Sequence, residues 1–197
     1  MMGVYSNEMR TNKERALKAA SEELELIERS YNLNIGKDKN LILKDYEKLY
    51  ELGFTNGRKR SEVLKSLIII HLRNKDLPID FKDLKLNEKR GRKYIRKILK
   101  LLGTKLKSKE IEPYLIKYGN ILQLKPNTIS VAILLSKLKF KSDFNTRIAC
   151  LLLLASKFTK DKIQPSDFED DKELKEVCKQ LEKKINKRLL AKINKLL

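Results

Sequence analysis

Two segments constrain this chain more than anything else in it. Val63, Leu64, Leu67, Ile68, Ile69, Ile70 and Leu72 crowd into one short run, and Ile148, Ala149, Cys150, Leu151, Leu152, Leu153, Leu154 and Ala155 form another. Both lie among segments whose apolar residues recur every three or four positions, the period of a helix. Strand signals are almost absent. A helix that is apolar nearly all round is stable at the centre of a bundle, covered by other helices. The sequence therefore predicts an all-α chain with two bundle centres.

The covering helices can be read around each centre. Residues 13–30 place Leu17, Ala20, Leu24 and Ile27 on one face, with Glu22, Glu23, Glu25 and Glu28 between them. Residues 39–52 repeat the pattern through Leu43, Tyr46, Leu49 and Tyr50, and Gly53 is the expected stop. Ser61 is expected to cap the first apolar helix. A short element follows Pro78, and a strongly basic helix runs from about Asn87 to Leu102, ended by Gly103. The second half repeats this order. Residues 109–119 give a first helix, and Asn127 is expected to cap a second with Val131, Leu134, Leu135 and Leu138 on its face. The apolar helix is expected to begin at Asn145. Another element follows Pro165, and a charged helix starts near Lys172. Pro78-Ile79-Asp80-Phe81 matches Pro165-Ser166-Asp167-Phe168 at an offset of 87 residues, while the apolar helices match at 84. Two copies of one helical unit follow from this order. The expected organisation is a tail over residues 1–12, a first repeat over 13–103, a divergent second repeat over 104–184, and a basic C-terminal helix or tail over 185–197.

Composition narrows the function. Lys plus Arg number 45 against 26 Asp plus Glu, a net charge of +19, and such a balance points to nucleic acid as partner. Cys150 and Cys178 are too few for a disulfide framework or a Cys-rich zinc site. His71 is the one histidine, and no Walker loop, Rossmann glycine pattern or nucleophile elbow is present. Asp80, Asp83, Asp167 and Asp170 follow prolines at helix starts, where carboxylates cap amides. No enzyme activity, cofactor or metal is expected. No apolar run reaches the roughly 18 residues that span a bilayer, and the N-terminus lacks a secretory h-region. A cytoplasmic protein with no membrane partner is expected.

The charge is concentrated. Between residues 89 and 109 lie ten basic side chains and no acidic one: Lys89, Arg90, Arg92, Lys93, Arg96, Lys97, Lys100, Lys105, Lys107 and Lys109. Tyr94, Ile95, Ile98, Leu99 and Leu102 keep one face of this helix apolar, so the other is wholly positive. Like charges at i,i+4 repel, and an unbalanced stripe is better tolerated where a polyanion neutralises it. A second cluster, Gly57-Arg58-Lys59-Arg60, follows Thr55-Asn56 in a turn. It reads either as a solvated turn or as arginines suited to a narrow minor groove. A third, Lys183, Lys184, Lys187, Arg188, Lys192 and Lys195, reads as a DNA-contacting extension, a packed last helix or a partner-binding helix.

A duplicated all-helical unit, with an apolar third helix and a basic fifth one, resembles the cyclin-fold core of archaeal transcription factor B. That factor is the counterpart of the eukaryotic general initiation factor IIB. The resemblance covers about residues 13–185. Glu14-Arg15-Ala16-Leu17 followed by Glu23-Leu24-Glu25-Leu26-Ile27 resembles the family's first core helix. Gly57-Arg58 is similar to its Gly-Arg loop, and Asn87-Glu88-Lys89-Arg90-Gly91-Arg92-Lys93-Tyr94 to its Lys-rich helix. The resemblance implies two five-helix cyclin-like repeats that bind double-stranded promoter DNA together with the TATA-binding protein. It places Gly57 and Arg58 at the minor groove, and Lys175 near the base-reading arginine of the second repeat's helix-turn-helix. It further implies a monomer acting in transcription regulation at the nucleoid of an archaeal cell, or encoded by a virus.

The chain departs from that family in three places. It carries no zinc-ribbon cysteines, so RNA polymerase would be met through another surface. Lys141-Ser142-Asp143-Phe144 replaces the glycine loop of the second repeat, and Glu169, Asp170 and Asp171 stand where a DNA-facing turn would sit. Most DNA contact is therefore expected from the first repeat. The alternative is a cyclin-like protein-interaction module, a regulatory partner of a kinase or other protein, whose basicity is incidental.

Overall fold

The computed structural model describes residues 2–164, 167–168 and 171–197, with side chains from residue 11 onward except those of 171–173. The described residues are helical, with no strand: α1 Met2–Ser30, α2 Asp38–Glu51, α3 Arg60–Asn74, a 3-10 turn Lys82–Leu84, α4 Glu88–Leu102, α5 Ile111–Ile121, α6 Pro126–Leu135, α7 Phe144–Thr159, α8 Asp171–Glu182 and α9 Lys187–Asn194. No helix among them is long and apolar enough to cross a membrane. The chain divides into two compact units, Met1–Lys109 and Glu110–Leu197. The first boundary lies beyond Gly103 because the following segment is tied back. Asn74 Oδ1 accepts from the Lys107 amide at 2.9 Å, Lys107 pairs with Asp76, and Lys109 pairs with Asp80. The expected tail over residues 1–12 is instead the start of α1.

In the first unit α3 is the covered helix, packed by α1, α2 and α4. Val63, Leu64, Leu67, Ile68 and Ile69 are fully buried, each contributing about 1.5–3 kcal/mol. Ser66, buried among them, satisfies its hydroxyl on the Glu62 carbonyl at 2.7 Å. Its cap differs from expectation. The Glu62 and Val63 amides donate to the Lys59 carbonyl, so the ladder opens at Lys59, with no side-chain cap, and Ser61 lies inside the first turn.

The turn after α3 is pinned by Arg73. Its Nε donates to the Ile79 carbonyl at 3.1 Å, its Nη2 meets Asp80 at 3.1 Å, and its guanidinium lies 5.4 Å from the Phe81 ring centroid. Asp80 is thus an ion-pair hub. Asp83 accepts from the Asp80 amide at 2.6 Å, while the 3-10 turn opens on Phe81 without a side-chain cap. Phe81 in turn receives α4 at Gly91, where an added Cβ would stand 2.6 Å from two ring carbons. Glycine there lets the basic helix approach the turn closely.

In the second unit α7 is the covered helix, with α5, α6 and α8 against it. Ile148, Cys150, Leu151, Leu152, Leu154 and Ala155 are all buried. The Asp143 carboxylate caps this helix, accepting from the Asn145 and Thr146 amides at 2.9 and 3.2 Å, so it starts at Phe144 and not at Asn145. Likewise α6 opens on the Lys125 carbonyl with Pro126 as first helical residue, and Asn127 is not its cap. Asp161 holds this corner by accepting from the Lys125 amide at 3.1 Å and from the Thr128 hydroxyl. Asp167 accepts from the Gln164 amide at 2.7 Å. Pro165, Ser166, Glu169 and Asp170 lie outside the described residues, as do the side chains of Asp171 and Lys172.

Candidate nucleic-acid interface

The basic helix forms where its sequence says it should. Asn87 caps α4, its side chain accepting from the Arg90 amide at 3.0 Å, and Gly103 ends it at φ 64°, a left-handed conformation that favours glycine. Gly91, Ile95 and Ile98 are buried. On the far side Lys89, Lys93, Arg96 and Lys100 are exposed at successive spacings of four, three and four. That spacing lines four cations along about 16 Å of helix, with exposed Lys97 beside them.

The positive face is narrower than the sequence implies. Carboxylates distant or adjacent in sequence reach four of the ten cations. Arg90 pairs with Glu62 at 2.6 Å, Arg92 with Glu88 on the preceding turn, Lys107 with Asp76, and Lys109 with Asp80. The Glu62 carboxylate holds the Arg90 pKa above its usual value. Lys89, Lys93, Arg96, Lys97 and Lys100 have no carboxylate partner among the described residues. They are the cations that a polyanion would meet first.

The turn between α2 and α3 engages its arginines locally. Gly53 and Gly57 both take φ 68°. Arg58 folds back over its own loop: its guanidinium lies 4.3 Å from the Phe54 ring centroid and donates to the carbonyls of Phe54 and Asn56. Arg60 sits in the first turn of α3, 3.6 Å from Glu23. Burial pushes the Tyr46 pKa up, against the opposing effect of the Arg60 guanidinium. So Arg58 and Arg60 act first as local fasteners, and Lys59 is the cluster's exposed cation without a carboxylate partner among the described residues.

The fold does bring this turn to α4. Phe54 meets Tyr94 edge-on, with centroids 6.0 Å apart at 78°. Leu52, Gly53, Phe54, Arg58, Lys97, Lys100 and Leu101 line one shallow open groove. Three of the lining residues are cations, none is a carboxylate, and Leu52, Phe54 and Leu101 are apolar. Phe54 had no functional signal in the sequence, yet it carries Arg58 on one side and α4 on the other.

Lys175 is exposed on α8 in the second unit. The His71 Nε2 lies 2.9 Å from Asp45 Oδ2. Cys150 and Cys178 are free and buried side by side, with Cys178 Sγ 3.9 Å from the Cys150 carbonyl. Among the described residues no three His, Cys, Asp or Glu side chains gather where they could hold a metal ion. No protein-family model matches this chain, and no curated protein matches it.

Proposed function

We propose that this chain binds double-stranded DNA, as a transcription factor B-like regulator that associates with promoter DNA and the TATA-binding protein. One observation carries the reading. Two basic clusters some forty residues apart in sequence, Arg58 and the pair Lys97 and Lys100, share one groove without a carboxylate, beside the unpaired line Lys89, Lys93 and Arg96. Such a surface suits phosphates, each of which releases counterions when a cation neutralises it. The order of elements adds support. Two helices, an apolar helix, a short turn and a basic helix make the first unit, and α5 to α8 follow a like order in the second. That order supports reading both as cyclin-like repeats.

Band shifts on a TATA-containing duplex, with and without TATA-binding protein, test this. A shift that strengthens with TATA-binding protein is expected, as is weaker binding as salt rises. Duplex binding that ignores salt, or none at low salt, overturns the reading. The second reading, a cyclin-like protein-interaction module, is favoured by Leu52 and Leu101, which are 55% and 42% exposed in the same groove. Such a module would show little duplex binding at any salt concentration.

A further inference from the structure

The second unit repeats the fastening device of the first. In the α2–α3 turn an arginine lies over a loop phenylalanine and donates to two loop carbonyls. At the α6–α7 loop Arg147, reaching back from the start of α7, lies 4.9 Å from the Phe140 ring centroid and donates to the carbonyls of Ser136 and Leu138 at 3.0 and 3.4 Å. Phe140 follows Phe54 by 86 residues, close to the offset of the apolar helices. In the first unit the fastened loop meets the basic end of α4. In the second, Lys184 just beyond α8 donates to the Lys139 carbonyl, and it follows Lys100 by 84 residues.

This loop is built to present charge. Leu138, Phe140 and Ser142 are half-buried, while Lys137, Lys139 and Lys141 between them are exposed. Lys183 and Lys184 stand exposed at the end of α8. The nearest carboxylates in sequence are already engaged. Asp143 holds the first amides of α7; burial pushes its pKa up, but hydrogen bonds from the Thr146 side chain and those amides hold it below the usual carboxylate range. Glu182 pairs with Lys157. No ion pair holds Lys137, Lys141 or Lys183 among the described residues.

We infer that the α6–α7 loop and the end of α8 form a second phosphate-binding surface for duplex DNA, one that contacts the backbone without reading sequence. The inference rests on the proposed DNA binding and adds a site to it. The chemistry selects this occupant. The exposed groups are lysines, mobile point charges that suit phosphate oxygens. None of the arginine, asparagine or glutamine side chains that make bidentate base contacts is offered by the loop. Its apolar residues face inward, so it lacks the exposed apolar anchor that an acidic peptide would use. The groove of the first unit has such anchors in Leu52 and Leu101.

The test compares three forms of the full chain: unchanged, K137Q/K139Q/K141Q, and K93Q/R96Q/K97Q. Each is titrated with a random-sequence duplex between about 50 and 200 mM salt. All six substituted side chains are exposed, so helix content and melting temperature should match in all three. The loop variant should lower the slope of log K against log salt by about 0.9 for each phosphate it no longer neutralises, or about 2.7 for all three lysines. If the α4 variant lowers the slope and the loop variant does not, this surface is overturned while DNA binding by the first unit stands. If the unchanged chain fails to bind duplex at all, both fall. If poly-glutamate binds the unchanged chain as tightly as duplex, and the loop variant is weakened equally towards both, the surface belongs to an acidic protein and the DNA assignment is overturned.

Discussion

Replacing Gly91 by alanine tests how tightly the basic helix is seated. In an isolated helix the change is favourable, by about 0.8–1 kcal/mol, because glycine loses more backbone entropy on folding. Here the new methyl would stand 2.6 Å from Cδ1 and Cε1 of Phe81 and 3.0 Å from Cδ2 of Leu86. Phe81 has little room to withdraw. It is 7% exposed, with the Arg73 guanidinium near its ring. Overpacking of this kind costs about 1–3 kcal/mol. The two effects oppose, and the steric one should win, leaving a net loss of about 0–2 kcal/mol. Urea unfolding followed by circular dichroism measures it. A double-mutant cycle isolates the cause: in a Phe81→Val background only the milder Leu86 contact remains, so Gly91→Ala should become stabilising, by up to about 1 kcal/mol. DNA affinity should follow the same pattern, since a displaced α4 carries Lys97 and Lys100 away from the Arg58 loop. Stabilisation of the unchanged background by about 1 kcal/mol would refute the close approach.

Ion pairing sets a second expectation. Lys93→Gln and Arg96→Gln should each lower the salt slope of duplex binding by about 0.9, and Arg90→Gln and Arg92→Gln by much less, because Glu62 and Glu88 already neutralise those guanidiniums. Equal slopes for all four would mean the ion pairs open on DNA. Arg58→Ala should loosen the α2–α3 turn as well as weaken binding, seen as faster amide exchange at Thr55 to Lys59; weaker binding with unchanged exchange would make Arg58 a direct contact alone. Asp161→Ala should destabilise the second unit by about 1–3 kcal/mol, since the Lys125 amide and Thr128 hydroxyl both lose their acceptor. Acid should act on the same corner and on the start of α7, where Asp143 caps the helix. Burial raises the pKa values of Asp143 and Asp161, but hydrogen bonds from Thr146 and Thr128 outweigh it, so both lie below the usual carboxylate range. A lowered folded-state pKa means stability present above about pH 3.8 and lost as pH falls through the folded value. Asp161→Asn should flatten that acid dependence in a pH series of melting curves, and an unchanged profile would exclude Asp161 from it.

Helix identity, the two covered helices and the basic face of α4 were legible in sequence because they are local. A period of three to four residues, a capping asparagine and a terminal glycine act within one or two turns. The caps of α3, α6 and α7 were misread for a related reason. Several residues near each helix start are chemically able to cap, and the entering backbone decides which one does. The candidate surface depended on tertiary structure in both directions. Glu62 neutralises Arg90 from 28 residues away, thinning a stripe that looked unbroken. Phe54 and Tyr94, forty residues apart, bring the arginine loop to the basic helix. Arg147 fixes the lysine loop of the second unit from inside α7. Sequence alone determined how much charge each segment carries. Only the packed chain decided which charges stay free, because an ion pair depends on distance in space, and burial of the apolar faces sets those distances.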